Sequence, residues 1–441
     1  MQTNFSLSQL ADPNIAEADK ILRACVHCGF CTATCPTYLL LGNELDSPRG
    51  RIYLIKDMLE NDRPATKEVV THIDRCLSCL SCMTTCPSGV HYMHLVDHAR
   101  AHIEETYERP FSDRLLRAML AFLMPRPKLF RIPLIFGVLA KPFVPLLKTF
   151  GFKRLAAMLR LVPARFPPHP PEQGHVFAAS GDHKARVALL TGCVAPVLTP
   201  QINESAVRVL TRHGIEVVSV RGEGCCGSLV HHMGREEEAL AQVRANVDAW
   251  IAEKEYSGLD AILVTASGCG TTIKDYGFML RNDPVYAEKA ATVSAMTFDI
   301  SEYLATLQLV PRAANRPEVK VAYHAACSLQ HGQKVVRQPR QLLSDAGFAV
   351  EEIPEGHICC GSAGTYNILQ PELATQLRDR KIQNIARINP DVIAAGNIGC
   401  ITQIASGTAI PVVHPIELVD WATGGPLPGA LKDALSTAAA E

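Results

Sequence analysis

Two short stretches of this chain concentrate cysteine at a repeated spacing. Residues 25–36 read CVHCGFCTATCP and residues 76–87 read CLSCLSCMTTCP, so both follow the pattern C-x2-C-x2-C-x3-C-P. In two-cluster ferredoxins the first three cysteines of such a run bind one 4Fe–4S cluster, and the fourth binds the other cluster. The pattern therefore predicts two 4Fe–4S clusters. The expected ligands are Cys25, Cys28, Cys31 and Cys86 for cluster I, and Cys76, Cys79, Cys82 and Cys35 for cluster II.

Two other uses of clustered cysteine fit the pattern less well. Structural zinc needs two separated C-x2-C knuckles for one tetrahedral site, and each run here carries a third and a fourth cysteine that zinc would not use. Disulfides are disfavoured because the first residues, MQTNFSLSQLADPNIAEADK, are polar and acidic, unlike a secretory signal. We therefore interpret both runs as cluster ligands.

The composition is that of an ordinary globular protein. The 441 residues suffice for several domains, with 47% hydrophobic and 20% charged residues. A formal net charge of −1 provides no general attraction to nucleic acid, so no nucleic-acid partner is expected. No run approaches about eighteen uncharged apolar residues, so a membrane-spanning helix is not expected.

The other eight cysteines fall into two sets of four with matching spacing. In both sets 32 positions separate the first cysteine from a Cys-Cys-Gly triplet, and 43 or 40 positions separate that triplet from the last cysteine. Such self-similarity at a fixed offset indicates two copies of one structural unit. The first set is Cys193, Cys225, Cys226 and Cys269, and the second is Cys327, Cys359, Cys360 and Cys400.

The sequence around these cysteines predicts alternating strands and helices. Short apolar runs such as RVALLTGC and VKVAYHAAC have the pattern of buried strands that end at a cysteine, and helical stretches closed by glycine follow them. This alternation indicates parallel α/β units, whose ligand sites collect at the carboxyl ends of the strands. We therefore expect two α/β cysteine-rich repeats, over residues 185–310 and 317–425.

The Cys-Cys-Gly triplets admit two interpretations. Adjacent side chains normally diverge, so both sulfurs reach one centre only in a tight turn, which the glycine permits. One interpretation is a redox site or a further iron–sulfur cluster in this region. The other is a set of buried, inert thiols, because free cysteine is among the most buried residue types. The repetition of the four-cysteine layout favours the first.

These motifs together resemble those of a known family. A doubled ferredoxin-type motif followed by two CCG units is similar to the iron–sulfur subunits of bacterial glycolate oxidases, which are related to an iron–sulfur chain of anaerobic glycerol-3-phosphate dehydrogenase and to heterodisulfide reductase chains. The resemblance implies that the chain accepts electrons from a FAD-containing subunit that oxidises glycolate or D-lactate, and passes them towards a quinone or another membrane acceptor. It is carried by the phrases RACVHCGFCTATCPTY, SPRGRIYLIK, TASGCG and CCGSAGTY, which span nearly the whole chain.

One departure from the related chains concerns the end of each CCG unit. Heterodisulfide reductase chains end each unit in C-x-x-C, whereas here GTT follows Cys269 and ITQ follows Cys400. The missing cysteines argue against a further cluster and against disulfide reduction. Three histidines near the second set are substitute ligands or, alternatively, ordinary hydrogen-bonded side chains. They are His324, His331 and His357.

The fold class expected overall is a multidomain protein. Residues 1–108 are expected to form an α-helical ferredoxin-like domain, in which Asp46 or Ser47 caps the helix that begins at Pro48. Residues 109–184 form a basic, apolar connector that ends in the stiff linker VPARFPPHPP. Twelve Lys or Arg and one acid, Asp113, fall between residues 109 and 166, which fits either binding to a membrane surface or packing against partner subunits.

Three classes of function remain after these observations. The first is an electron-transfer subunit of a flavin-dependent 2-hydroxy acid dehydrogenase, located at the cytoplasmic side of the inner membrane as a peripheral protein. Subunits of related lactate or glycerol-3-phosphate dehydrogenases belong to the same class. The second is a CCG-type disulfide reductase. The third is a cluster-bearing sensor, which is disfavoured because nothing in the sequence resembles a nucleic-acid-binding module. We find no dinucleotide-binding fingerprint and expect no flavin in this chain, so the first class is preferred.

Overall fold

The structure is a computed structural model that describes residues 1–163, 173–309 and 318–432. The expected proline-rich linker, VPARFPPHPP, lies almost entirely outside the described residues. The described chain contains a helical N-terminal part, a helical connector and two parallel sheets.

The N-terminal part is built from helices packed around one apolar core. Ile55, Ile73 and Leu95 are among its fully buried side chains. Of the two candidate caps, Ser47 accepts a hydrogen bond from the Gly50 amide at 3.0 Å. The helices are α1 (Leu7–Leu10), α2 (Pro13–Ala24), α3 (Pro36–Leu41), α4 (Pro48–Glu60), α5 (Lys67–Asp74), α6 (Ser81–Thr85) and α7 (Tyr92–Thr106).

Four further helices form the connector: α8 (Phe111–Leu123), α9 (Pro127–Ala140), α10 (Val144–Thr149) and α11 (Lys153–Leu161). The helical stretch Pro127–Leu147 has 21 residues and a mean hydropathy of 1.6, and only 6% of its most apolar window is buried. By length and composition alone it could cross a membrane. The sequence analysis did not identify this stretch because it considered only uncharged runs, and Arg131 and Lys141 interrupt this one.

The two cysteine-rich repeats form two separate sheets with mostly parallel strands. The first sheet has the order β1-β3-β2-β4-β5, in which only β1 is antiparallel to its neighbour, and the second has the order β7-β6-β8-β9. The predicted alternation of strands and helices is confirmed, while the edge strands β1, β5 and β9 were not expected. The strands are β1 (Val176–Phe177), β2 (Ala185–Leu189), β3 (Ile215–Val218), β4 (Ala261–Val264), β5 (Thr297–Asp299), β6 (Lys320–His324), β7 (Ala349–Glu352), β8 (Val392–Ala395) and β9 (Val412–Val413).

The two repeats share one hydrophobic core, which includes Val187 and Leu263 from the first sheet and Val321 and Ile393 from the second. The Asp420 carboxylate accepts from Arg208 across the same interface. The helices of the first repeat are α12 (Ala195–Leu198), α13 (Gln201–Arg212), α14 (Ser228–His231), α15 (Glu236–Ser257), α16 (Ser267–Lys274), α17 (Tyr276–Met279), α18 (Ala287–Ala295) and α19 (Ile300–Leu304). Those of the second are α20 (Gln338–Asp345), α21 (Tyr366–Leu369), α22 (Pro371–Ala386), α23 (Ile398–Ala405) and α24 (Pro415–Ala422).

Candidate iron–sulfur and cysteine-rich site

The loop of the first cysteine run brings together the thiols expected to bind cluster I. Cys25, Cys28, Cys31 and Cys86 line one small cavity, together with Cys82. Cys28 is exposed, and burial raises the pKa of the Cys31 thiol to about 11. A cluster at this place would therefore lie near the protein surface.

Both cysteine loops contain left-handed backbone at the same two positions. In the first loop these are His27 (φ 55°) and Gly29 (φ 86°), and in the second they are Ser78 (φ 48°) and Leu80 (φ 62°). A leucine in this conformation is strained, and such strain is typical of backbone that a functional site requires. The shared geometry turns successive thiols of each run towards one centre.

The thiols expected to bind cluster II lie deeper in the protein. Burial raises the pKa values of Cys79 and Cys82, and the nearby sulfur of Cys35 raises both further. Cys35 therefore lies within electrostatic range of two thiols of the second run, as well as of Cys31 in its own run, and its assignment to cluster II stays a prediction from the spacing. The donors fit a cluster, because iron would neutralise sulfurs that are crowded together away from water.

Polar groups that the sequence analysis did not identify surround Cys35. The Arg51 guanidinium is fully buried and donates to the Cys35 sulfur at 3.8 Å, and the Thr37 hydroxyl lies 3.3 Å from the same sulfur. Tyr92 donates its hydroxyl to Cys76 at 3.8 Å. Hydrogen bonds to sulfur are among the factors that set cluster potentials.

Arg51 belongs to a buried charge network around the Asp46 carboxylate. Asp46 is completely buried and accepts from Arg51 at 3.5 Å and Arg75 at 3.0 Å, and it lies 2.9 Å from the His72 ring nitrogen. Burial alone would lower the pKa of Arg51, but Cys76, Tyr92, Cys35 and Asp46 raise it. The arginine is therefore a permanent positive charge beside the cluster II thiols.

In each cysteine-rich repeat the four thiols form a continuous series. In the first, Cys193 contacts Cys225, Cys225 contacts Cys226, and Cys226 contacts Cys269. Hydrogen bonds with the first and third thiols lower the pKa of Cys225, whereas the pKa values of Cys193 and Cys226 are raised by their bonds to Cys225 and by burial. The second repeat has the same connectivity through Cys327, Cys359, Cys360 and Cys400.

The glycine after each cysteine pair is required by the turn. Gly227 and Gly361 have φ values of 85° and 86°. A Cβ at Gly361 would lie 2.5 Å from the Ala374 carbonyl oxygen, so no other residue fits there. The sequence does contain one match to the dinucleotide-binding spacing G-x-G-x-x-G, GEGCCG at residues 222–227, so the expectation that no such match is present was wrong. These residues form this turn and lead only into the four-residue helix α14.

One large apolar cavity connects the sites. It has a volume of about 640 Å³ and is bounded by all eight CCG cysteines, by Cys76 and Cys79, and by side chains of α8, α9 and α11. Cys327 and Cys359 pack in one apolar cluster with Leu77 and Cys79. The second repeat therefore adjoins the cluster II loop directly.

The three candidate histidines have different environments. His324 lies within 4.8 Å of Cys360 and Cys400 through its ring nitrogens. The Nδ1 of His331 is 2.7 Å from the Thr84 hydroxyl, which ties it to the N-terminal part instead. His357 is not in the donor group found among the described residues. Of the three, His324 alone is placed as a ligand would be.

Several basic side chains of the connector are neutralised within the protein. Arg117 donates to both Asp74 and Asp113, and Arg154 donates to Asp113 at 2.7 Å. Lys153 pairs with Glu372. These contacts reduce the charge available for a membrane surface.

Comparisons with known proteins agree with this organisation. A 4Fe-4S dicluster domain model matches residues 21–90, and a Cysteine-rich domain model matches residues 187–274 and 321–405. The first match confirms iron–sulfur clusters as cofactors of the N-terminal part.

Two similar proteins cover nearly the whole chain, and a third covers about half of it. The glycolate oxidase iron-sulfur subunit of Escherichia coli (strain K12) is 44% identical over 96% of this chain and 99% of its own length. A probable glycolate oxidase iron-sulfur subunit of Bacillus subtilis (strain 168) is 30% identical over 91% of this chain and 94% of its own length. Lactate utilization protein A of Halalkalibacterium halodurans is 26% identical and covers 53% of this chain and 96% of that protein.

A solved structure of a hypothetical protein from Helicobacter pylori shares the fold, with a TM-score of 0.55 at 9% identity over 96% of this chain and 74% of that chain. The cluster-type loops, the paired CCG turns and these relatives together show that the chain belongs to the family of glycolate oxidase iron–sulfur subunits.

Proposed function

We propose that this chain carries electrons from a FAD-containing subunit that oxidises glycolate, or D-lactate, towards a quinone at the cytoplasmic side of the inner membrane. One observation carries this proposal. The cysteine sets form a continuous series from an exposed loop, through a buried helical domain, to an apolar cavity under the connector helices.

The exposed end of the series suits contact with the flavin subunit. Val26 and Phe30 flank Cys28, and their exposed fractions are 66% and 64%. Exposed apolar side chains beside a redox centre are typical of a surface that another subunit covers. When bound, the clusters supply one-electron carriage; the chain shields them and fixes their separation.

The buried end suits a lipophilic electron acceptor. The residues Tyr366 and Asn367 border the cavity. The Tyr366 hydroxyl and the Asn367 Oδ1 are buried, and neither has a hydrogen-bond partner within the described parts of the chain. A quinone carbonyl could accept a hydrogen bond from Tyr366, while its ring packs on apolar walls such as Met119 and Phe130. Unpartnered polar groups in an otherwise apolar cavity are the feature expected of a ligand site.

The connector is suited to peripheral membrane association. Along α9, Ile132, Ile135, Phe136 and Leu139 are exposed, and Phe136 also borders the cavity. An apolar face of this kind, together with basic residues such as Lys128, favours the lipid interface. A quinone dissolved in the bilayer would then reach the cavity without crossing water.

The disulfide reductase alternative has less support. At the position of the cysteine missing from the first repeat, the Thr272 hydroxyl donates to the Gly268 carbonyl oxygen at 3.3 Å. In the second repeat, Gln403 occupies the corresponding position and hydrogen-bonds to Asn367 and Ala374. Neither residue supplies a thiol.

Reconstitution tests the main proposal. The isolated chain should not oxidise glycolate or D-lactate with any dye, and addition of the FAD-containing subunit should restore reduction of the clusters by substrate. Cys28→Ala and Cys79→Ala should block transfer to quinone while flavin reduction continues. Turnover of substrate by the purified single chain, free of flavin, would refute the proposal.

A bulky substitution in the cavity tests the quinone site separately. Met119→Trp should lower the rate at which the chain reduces a short-chain ubiquinone analogue, because Met119 lines the cavity. Leu115→Trp on the same helix is the control, since Leu115 is 57% exposed and is not among the residues bordering that cavity. Equal rates in both variants, with normal cluster reduction by the flavin subunit, would place the quinone elsewhere.

A further inference from the structure

Three donor atoms from separate elements meet in the second repeat. The ligand atoms of His324, Cys360 and Cys400 all lie within 4.8 Å of one another, and the three residues are buried. His324 ends β6, Cys360 follows β7, and Cys400 lies in α23 directly after β8. Because the sheet order is β7-β6-β8, the carboxyl ends of three adjacent strands bring these donors together.

The imidazole of His324 has no other role in the described structure. It is 1% exposed, and both ring nitrogens lack a hydrogen-bond partner among the described residues. His414, buried nearby to a similar degree, differs: its Nε2 lies 2.9 Å from the Thr265 carbonyl oxygen and its Nδ1 accepts from the Ile416 amide. A buried imidazole is normally hydrogen-bonded or bound to metal, so His324 points to a ligand.

The second repeat has no thiol at the C-x-x-C position. Gln403 stands at that position, but its side chain is held by Asn367 and the Ala374 carbonyl oxygen. The position equivalent to His324 in the first repeat, three residues before its first cysteine, is Leu190. The histidine is therefore a feature of the second repeat only.

We propose that His324, Cys360 and Cys400 bind one soft divalent metal ion, zinc or ferrous iron, which is a site additional to the two clusters. Thiolate and imidazole ligands select such ions, and metal–sulfur bonds of about 2.3 Å put tetrahedral ligands about 3.8 Å apart. Since the donor atoms lie within 4.8 Å of one another, a contraction of at most about 1 Å would close the site. The ligands of one cubane bind different irons and stand further apart, so this group suits a single ion.

Groups around the site support thiolate ligands. The Asn397 amide donates to the Cys400 sulfur at 3.7 Å, and the Gly361 amide donates to the Cys359 sulfur at 3.5 Å. The Cys359 thiol contacts that of Cys360 and offers the fourth position. Such hydrogen bonds to sulfur orient metal ligands. On binding, each ligating thiol loses its proton to solvent and forms a metal–sulfur bond.

A buried positive charge also faces the site. Lys381 is 1% exposed, donates to the Glu355 carbonyl oxygen at 2.9 Å, and lies within electrostatic range of Cys327, Cys359 and Cys360. Three thiolates on a divalent ion carry one net negative charge, which the ammonium would balance. The charge of the surroundings therefore matches a metal site of this composition.

Metal analysis of the full-length chain, isolated without oxygen, tests the proposal. We expect one equivalent of zinc, or one high-spin ferrous component in the Mössbauer spectrum, beyond about eight cluster irons. X-ray absorption at the edge of the metal found should show both sulfur and nitrogen neighbours. An all-sulfur shell, no extra metal, or about four extra irons as in a third cubane would each overturn the proposal.

Variants identify the ligand. His324→Gln should lose the extra equivalent and retain the cluster irons, whereas His331→Gln, which changes another buried histidine of the same repeat, should retain both. His324→Cys should recover the metal with an all-sulfur shell. If the His324→Gln protein does not fold, the His324→Cys protein is the decisive variant. Full metal content in a folded His324→Gln protein would exclude His324 as a ligand. The reconstitution assay with flavin subunit and substrate can fail independently of these measurements.

Discussion

Removing the buried charge of Arg51 should lower the reduction potential of cluster II. Its guanidinium donates to the Cys35 sulfur at 3.8 Å and is almost completely shielded from water. Reduction adds negative charge to a cluster, so a nearby cation stabilises the reduced form. Arg51→Met removes the cation and the hydrogen bond to sulfur with a side chain of comparable length.

The size of the effect follows from Coulomb's law. With roughly 6 Å between the guanidinium and the centre of the cluster charge, and an effective dielectric constant of about 20, the lost interaction is about 3 kcal/mol. For a one-electron couple about 59 mV corresponds to a tenfold change, or about 1.4 kcal/mol, so the potential should fall by on the order of 100 mV. Asp46 keeps its contacts with His72 and Arg75, which limits the loss of stability.

A redox titration of the anaerobic chain, followed by electron paramagnetic resonance, measures both clusters. Arg51→Lys retains the charge and should shift cluster II much less. Arg75→Met removes a cation from the same Asp46, but Arg75 is partly exposed and has no contact to a cluster sulfur among the bonds found in the described chain, so its effect should also be small. Unchanged potentials in an Arg51→Met protein with intact clusters, or equal shifts of both clusters, would refute the reasoning.

Three other predictions concern the clusters, the membrane and pH. The anaerobic chain should contain about eight irons, and zinc in place of iron would show the cluster assignment to be wrong. Cys35→Ser should perturb cluster II but not cluster I, and loss of cluster I alone would show the ligand pairing to be wrong. The chain should float with anionic liposomes, less at high salt, and Leu139→Ser should weaken binding more than Val336→Ser, since both side chains are exposed (72% and 48%) but only Leu139 belongs to α9. Recovery independent of salt and lipid would favour a connector that packs on partner subunits. Asp97 of α7 contacts His232 at 3.1 Å and His231 at 3.5 Å. Burial opposes ionisation of Asp97 and His231, but His232 and His231 together lower the pKa of Asp97, and the Asp97 carboxylate raises that of His231. The carboxylate contributes stability above its unfolded pKa of 3.8 and the imidazolium below its unfolded pKa of 6.5, so the contact is strongest between these values. Hydrogen exchange of α14, corrected for intrinsic rate, should accelerate as the pH rises from about 6 to 8.5, and Asp97→Asn should abolish that pH dependence.

Much of the architecture could be predicted because it is encoded by short-range patterns. The strands β4 and β8 are continuous apolar runs, and β2 and β6 are apolar at most of their positions; their burial in parallel sheets follows from that composition. The CCG turns were predictable because glycine adopts without strain the positive φ that follows each cysteine pair. The edge strands β5 and β9 have three and two residues, too short to give a periodic signal.

The long apolar stretch was missed for a different reason. Charges at Arg131 and Lys141 interrupt it in the sequence, but the helices from Pro127 to Leu147 follow one another directly and present apolar side chains outwards. Whether such side chains are buried or exposed depends on what packs over them. That information is absent from local composition.

By itself, the sequence determined the family and the identities of sixteen cysteines grouped by spacing. A pattern such as C-x2-C-x2-C is decisive because the donors of one loop must be neighbours along the chain. Only the tertiary structure decided which groups from distant segments meet these thiols: Arg51 at Cys35, Leu77 beside Cys327, and His324 between Cys360 and Cys400. Such contacts depend on how helices and sheets pack against one another, and residues that are remote in the chain leave no fixed spacing from which to read them.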